Sequence, residues 1–229
     1  LTMKEIRAKK CLVIAPHPDD ETLGCGGTLL KHKASGDESH WLIVTGIDEA
    51  TGFSAERVSA RSHEIKTVSA IYGFDSVVNL NLPTTKLDIL SMQQLVEMIG
   101  DVILKIKPEI LYVPFPGDIH TDHKVVFQAV AACSKWFRFE SIKRILAYET
   151  LSETDFAINP DINAFTPNVF VDISEFLQEK LQIMQIYKSE MGLFPFPRSE
   201  KAIVALSQIR GAAAGCEAAE AFMLLKEII

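Results

Sequence analysis

The chain has 229 residues, 48% of them hydrophobic and 23% charged, with a formal net charge of -7 and a sequence pI near 5.4. That much apolar mass suffices for one core, so a single domain over residues 1–229 is expected. The acidity excludes the basic field that nucleic acids and anionic membrane surfaces require, and leaves a small-molecule substrate as the expected partner.

The four cysteines, Cys11, Cys25, Cys133 and Cys216, include no C-x-x-C pair. They suggest neither a disulfide framework nor a thiolate metal site, and they suit a reducing compartment. No stretch reaches the roughly 18–20 apolar residues of a membrane span. The run Cys11 to Ala15 is too short for a secretion signal and leads straight into charges. A soluble, cytoplasmic protein without membrane insertion is expected.

In chain order, short β-rich runs alternate with helical patterns. "CLVIA" (11–15) precedes the helical "GGTLLKHKASG" (26–36), and "HWLIVTG" (40–46) precedes a helix over 53–74. "SVVNLNL" (76–82) precedes a helix over 90–107, and "EILYVPF" (109–115) precedes a helix over 123–137, followed by "RILAYET" (144–150). Such alternation builds βαβ units, and predicts an α/β fold: a Rossmann-like, open, mostly parallel sheet with helices on both faces. Further on, "PNVFVDI" (167–173) reads as a late strand and 174–191 as a helix capped by Ser174. A loop "GLFPFPR" (192–198) and an apolar, Ala-rich C-terminal helix complete the reading, and both leave packing on a second copy open. The segment 151–167 reads as a long loop, either a flap over a site or an insertion.

In open parallel sheets, ligands bind beyond the carboxyl ends of the strands, at the switch point. Two clusters fall there: His17-Pro18-Asp19-Asp20 after the first strand, and Asp118 to His123 after the fourth. Imidazole nitrogen and carboxylate oxygen suit zinc, and three protein ligands leave a position open for water. His17, Asp20 and His123 are the expected ligands. Asp19 is then free to act as general base on the water. His120, positively charged or hydrogen-donating, would stabilise the oxyanion and protonate the leaving amine, and Asp122 would orient a histidine.

The plainer alternative makes Asp19 or Asp20 an N-cap of the first helix and Asp122 a cap of the helix from His123. It leaves the gathering of histidines unexplained. Gly24, Gly26 and Gly27 do not complete G-x-G-x-x-G, because Leu29 stands at the third glycine position. Gly26 and Gly27 instead let either a substrate or a facing strand approach the backbone.

With "APHPDDETLGCGGTL" (15–29) and "DIHTDH" (118–123), the chain resembles the LmbE-like, or PIG-L, family of metal-dependent de-N-acetylases. The resemblance runs on through Arg61 to Glu64, Tyr148-Glu149 and Arg210 to Phe222. It implies a Rossmann-like fold, zinc (with iron as the alternative) on His17, Asp20 and His123, and hydrolysis of an N-acetyl group from a glucosamine-type sugar. It adds Arg61 as a substrate contact, against a simple surface pairing with Glu64. Two departures stand out. Ala218 replaces a tyrosine of many relatives. Asp118 stands where thiol-pathway deacetylases often carry tyrosine, so it joins the candidate substrate contacts. The competing readings are a metal-dependent hydrolase of another acyl or phosphoester bond, and a catalytically silent sugar- or nucleotide-binding module.

Overall fold

The computed structural model describes residues 8–158 and 164–229. Its frame is a seven-stranded sheet in the order β3-β2-β1-β4-β5-β7-β6. The strands are β1 (Lys10–Ala15), β2 (Glu38–Gly46), β3 (Ser76–Pro83), β4 (Ile110–Pro114), β5 (Arg144–Tyr148), β6 (Val169–Asp172) and β7 (Ala219–Glu227). The first five run parallel, whereas β7 runs antiparallel to both β5 and β6.

The parallel strands are apolar on both faces because helices cover both. Alternation along β1 sends Cys11, Val13 and Ala15 to one core and Leu12 and Ile14 to the other. The first core is closed by α1 (Asp20–Ala34), α2 (Ala55–Tyr72), α5 (Leu177–Met184) and α6 (Glu200–Ala214). The second is closed by α3 (Met92–Ile106) and α4 (Thr121–Ala132). The sequence of α3 explains its place. Leu95, Ile99, Val102 and Ile103 form an apolar stripe at helical spacing, and Ser91 with Gln94 makes a capping box. No helix among the described residues is long and apolar enough to cross a membrane.

The chain winds outward from β1 to β2 and β3, then returns to lay β4 on the other side of β1. The carboxyl ends of β1 and β4 therefore flank the switch point, which is where an open sheet leaves a crevice.

The second half departs from expectation in two places. The helix expected over 174–191 spans only Leu177–Met184, and its start is delayed because Ser174 hydrogen-bonds the Asp172 carboxylate (Oγ to Oδ1, 2.6 Å) and so favours a local turn. The expected C-terminal helix ends at Ala214, with Gly215 at φ 78 as its left-handed cap, and the chain then forms β7. Strand β7 fills the gap between β5 and β6, whose backbone groups would otherwise be unpaired there. Of the long segment 151–167, residues 159–163 lie outside the described residues. Phe165 in its later part packs edge-on against Phe115, with ring centroids 5.2 Å apart.

Candidate metal centre and cleft

The turn from β1 into α1 places Asp19 at φ 136, a conformation rarely adopted by side-chain-bearing residues. Asp19 occupies the N-cap position of α1, yet its carboxylate makes no capping hydrogen bond. The capping role expected of an Asp here is absent, so the carboxylate is available for other work. Asp20 turns back and accepts from the His17 backbone N–H at 2.8 Å. Across the switch point His120 is the N-cap of α4, and its Nδ1 accepts from the Asp122 N–H at 3.1 Å. Asp122 is thus not the cap of that helix.

These two turns bring His17, Asp20 and His123 together, with ligand atoms all within 4.8 Å of one another. His17 Nδ1 and His123 Nε2 each lie 3.3 Å from the same oxygen, Asp20 Oδ2. The remaining nitrogen of each imidazole rests on another buried carboxylate. His17 Nε2 is 3.0 Å from Asp122 Oδ2, and His123 Nδ1 is 2.7 Å from Asp118 Oδ2. This is the carboxylate–histidine arrangement that fixes the tautomer and aim of a metal ligand.

His123 Nε2 supplies a direct test of fit. It is fully buried, near Asp20 but not aligned as a hydrogen bond, and has no hydrogen-bond partner among the described residues. A buried unpaired nitrogen costs free energy that a cation on its lone pair would offset. The three residues fit a zinc-type site. A second trio, His17, His120 and Asp122, also falls within 4.8 Å. Asp122 is already committed, however, accepting from Thr85 N–H (2.7 Å), Leu87 N–H (3.3 Å) and His17.

The electrostatics agree. Burial opposes charge on Asp20, but His123 and His17 outweigh it and hold the carboxyl far below its ordinary range. Burial likewise disfavours protonated His17, yet its bonds to Asp122 and Asp20 raise it to about 9. A cluster that draws protons this strongly also draws cations. His120 behaves oppositely: burial, then the neighbouring His17 and His123, lower it to about 4. It is neutral near pH 7, and because Nδ1 accepts, its proton resides on Nε2. Of the two forms expected for His120, the geometry supports the hydrogen-donating one.

A cleft of about 290 Å³ opens beside this cluster, and its lining includes His17, Asp19, His120, Arg61, Glu190 and Arg198. Asp19 is pushed well above its ordinary range by burial and then by Asp20, against the pull of Arg198. Arg61 makes the pairing with Glu64 that the plainer reading expected, and it also stands at the cleft. It lies 3.3 Å from Glu64 and donates to Pro18 O at 2.8 Å.

Three expected substrate contacts sit elsewhere. Gly26 and Gly27 are buried inside α1, where a Cβ would meet Tyr72 and Lys180, or Ile173. Their smallness serves the close approach of neighbouring elements. Asp118 is fully buried and engaged with His123 and the Thr154 hydroxyl, so it supports an imidazole and does not line the cleft. Glu190 and Arg198 escaped the sequence reading. Glu190 falls in the segment expected to be helical to residue 191, whereas the helix ends at Met184, and Arg198 closes the loop 192–198; nothing in the spacing relates either to residues near position 19.

Residues 12–134 match the family model PIG-L, described as GlcNAc-PI de-N-acetylase. Among curated proteins, the chain is 29% identical over 191 residues to the uncharacterized deacetylase YaiS of Escherichia coli K12, covering 80% of this chain and 92% of that one. It is also 29% identical over 195 residues to the diacetylchitobiose deacetylase of Thermococcus kodakarensis, covering 80% and 70%. The crystal structure of the conserved protein TT1542 from Thermus thermophilus superposes with a TM-score of 0.78 at 26% identity, over 96% of each chain.

Proposed function

The chain belongs to the PIG-L family of de-N-acetylases, and on that premise we propose that it hydrolyses the N-acetyl amide of an N-acetylglucosamine-type sugar or conjugate to acetate and a free amine. The observation that carries this reading is the presence of Asp19 and His120 in one cleft with His17, directly beside the buried Asp20 and His123. A binding module has no need of a carboxylate and a donor imidazole so placed.

Zinc, or iron in its place, would be held by His17, Asp20 and His123 and would supply Lewis acidity to a water and to the amide carbonyl. The protein's own groups do the remainder. Asp19 takes the proton of the attacking water on its carboxylate. His120 donates its Nε2–H to the carbonyl oxygen as negative charge develops there. A neutral imidazole with depressed basicity is a poor source of a second proton. The proton gained by Asp19, whose buried carboxyl favours protonation, therefore passes to the amine nitrogen as the C–N bond breaks. Asp122 and Asp118 hold His17 and His123 in their tautomers. Arg61, reaching the cleft from α2, binds the sugar.

Acetate release by zinc-loaded protein, measured on N-acetylglucosamine, its glycosides, its nucleotide diphosphate conjugates and chitobiose, tests this. Release from at least one member, absent in Asp19→Ala with metal retained, is expected. Silence across the panel would overturn the amino-sugar reading and direct the search to other acyl or ester bonds.

A further inference from the structure

Asp19 reaches the cleft from a strained backbone and without the capping bond that would usually fix its side chain. Something else must set the direction of that carboxylate. The contact comes from Arg198, whose Nη1 donates to Asp19 Oδ2 at 3.1 Å. We propose that Arg198 is a positioning residue for the general base, gripping one oxygen of Asp19 and leaving the other to accept the proton. This inference rests on the role given to Asp19 above.

Arg198 is well placed to hold another group still. It directly precedes Ser199, the N-cap of α6, whose side chain accepts from Ala202 N–H. Ser199 N–H in turn donates to Phe196 O at 3.0 Å, closing a turn behind the arginine. The guanidinium stacks 5.7 Å from the centre of the Phe196 ring and lies 3.4 Å from Glu190. Its Nε–H is buried without an acceptor among the described residues, and the Nη1 end carries the contacts to Asp19 and Glu190.

Glu190 ties this arm to a second one. It also pairs with Arg61, and Arg61 donates to the carbonyl oxygen of Pro18 at 2.8 Å. The Pro18-Asp19 dipeptide is therefore held twice, at its backbone by Arg61 and at its side chain by Arg198, with Glu190 between the two guanidiniums. Such a bracket suits a base that must stay aimed at a water while its neighbour Asp20 is bound up with two histidines.

The test uses the zinc-loaded full chain with Arg198→Ala and Arg198→Lys. Loss of aim without loss of the cleft predicts a kcat lower by about 10- to 100-fold in Arg198→Ala, a KM within about threefold of the original, and unchanged zinc content. Arg198→Lys, which keeps one donor for Asp19, is expected to recover most of that loss. Amide hydrogen exchange in a peptide spanning Pro18 to Leu23 is expected to speed up in Arg198→Ala. A kcat within about twofold of the parent, an equal loss in the lysine variant, or unchanged exchange overturns the proposal. If the parent protein deacetylates nothing in the panel, the deacetylase reading fails, and the exchange measurement alone decides the role of Arg198.

Discussion

His123 Nδ1 and Asp118 Oδ2 lie 2.7 Å apart with both side chains fully buried. The carboxylate thereby presents Nε2 of the imidazole to Asp20 and to any cation beside it. Asp118→Asn keeps the shape but weakens the charge that fixes this tautomer. Zinc affinity is expected to fall about 10- to 100-fold, read by chelator competition, with the far-ultraviolet spectrum unchanged. Undiminished affinity would detach Asp118 from the metal site.

The two histidine-carboxylate trios make different forecasts for His120. With His17, Asp20 and His123 as ligands, His120→Ala retains zinc at one per chain and loses about 10²- to 10³-fold in kcat, the usual cost of an oxyanion donor. Loss of zinc in this variant would instead favour the trio of His17, His120 and Asp122.

Helix α1 bears on the glycine pair. A Cβ on Gly27 would stand 2.6 Å from Ile173 Cβ and Cγ2, far inside contact distance. Gly27→Ala is expected to lower stability by about 1–3 kcal/mol in denaturant titrations while leaving KM unchanged. A raised KM at unaltered stability would return Gly27 to the substrate.

Glu21 gives the metal-free protein a pH signature. Its carboxyl accepts from the Asp19 N–H (3.0 Å), the Tyr187 hydroxyl (2.8 Å) and the Thr22 hydroxyl (2.6 Å). Burial nevertheless dominates and raises it from 4.5 to about 7. The folded state thus binds this proton more tightly than the unfolded chain does. Its contribution is complete below about pH 4.5, declines as pH rises, and is lost above about pH 7, a span worth about 3 kcal/mol. Stability measured by denaturant from pH 4.5 to 7 should fall less steeply in Glu21→Gln. Identical slopes in the two proteins would falsify the assignment.

Much of the first half was legible because its signals are local. Strands such as Leu12 to Ala15 announce themselves by continuous apolar residues, and the α3 stripe by its spacing. The C-terminal stretch misled for a matching reason. Ala219 to Glu227 is built almost wholly of good helix formers, yet it became a strand because Gly215 stopped α6 and two sheet edges required a partner between them. Ser174 lost its capping role to a side-chain contact two residues back, which composition does not rank against a cap.

The sequence by itself determined the alternating α/β plan and the clustering of His17, Asp19, Asp20, His120 and His123 at one sheet edge. Parallel βαβ units always carry strand ends to the same side, so motifs following β1 and β4 must meet. Only the tertiary structure decided which nitrogen each imidazole offers, that Asp118 and Asp122 stand behind histidines, and that Gly26 and Gly27 pack within the core. It alone placed Arg198 against Asp19, 179 positions earlier in the chain. Such pairings depend on where α6 settles on the sheet, and that is set by the summed burial of whole faces, which no single stretch of sequence encodes.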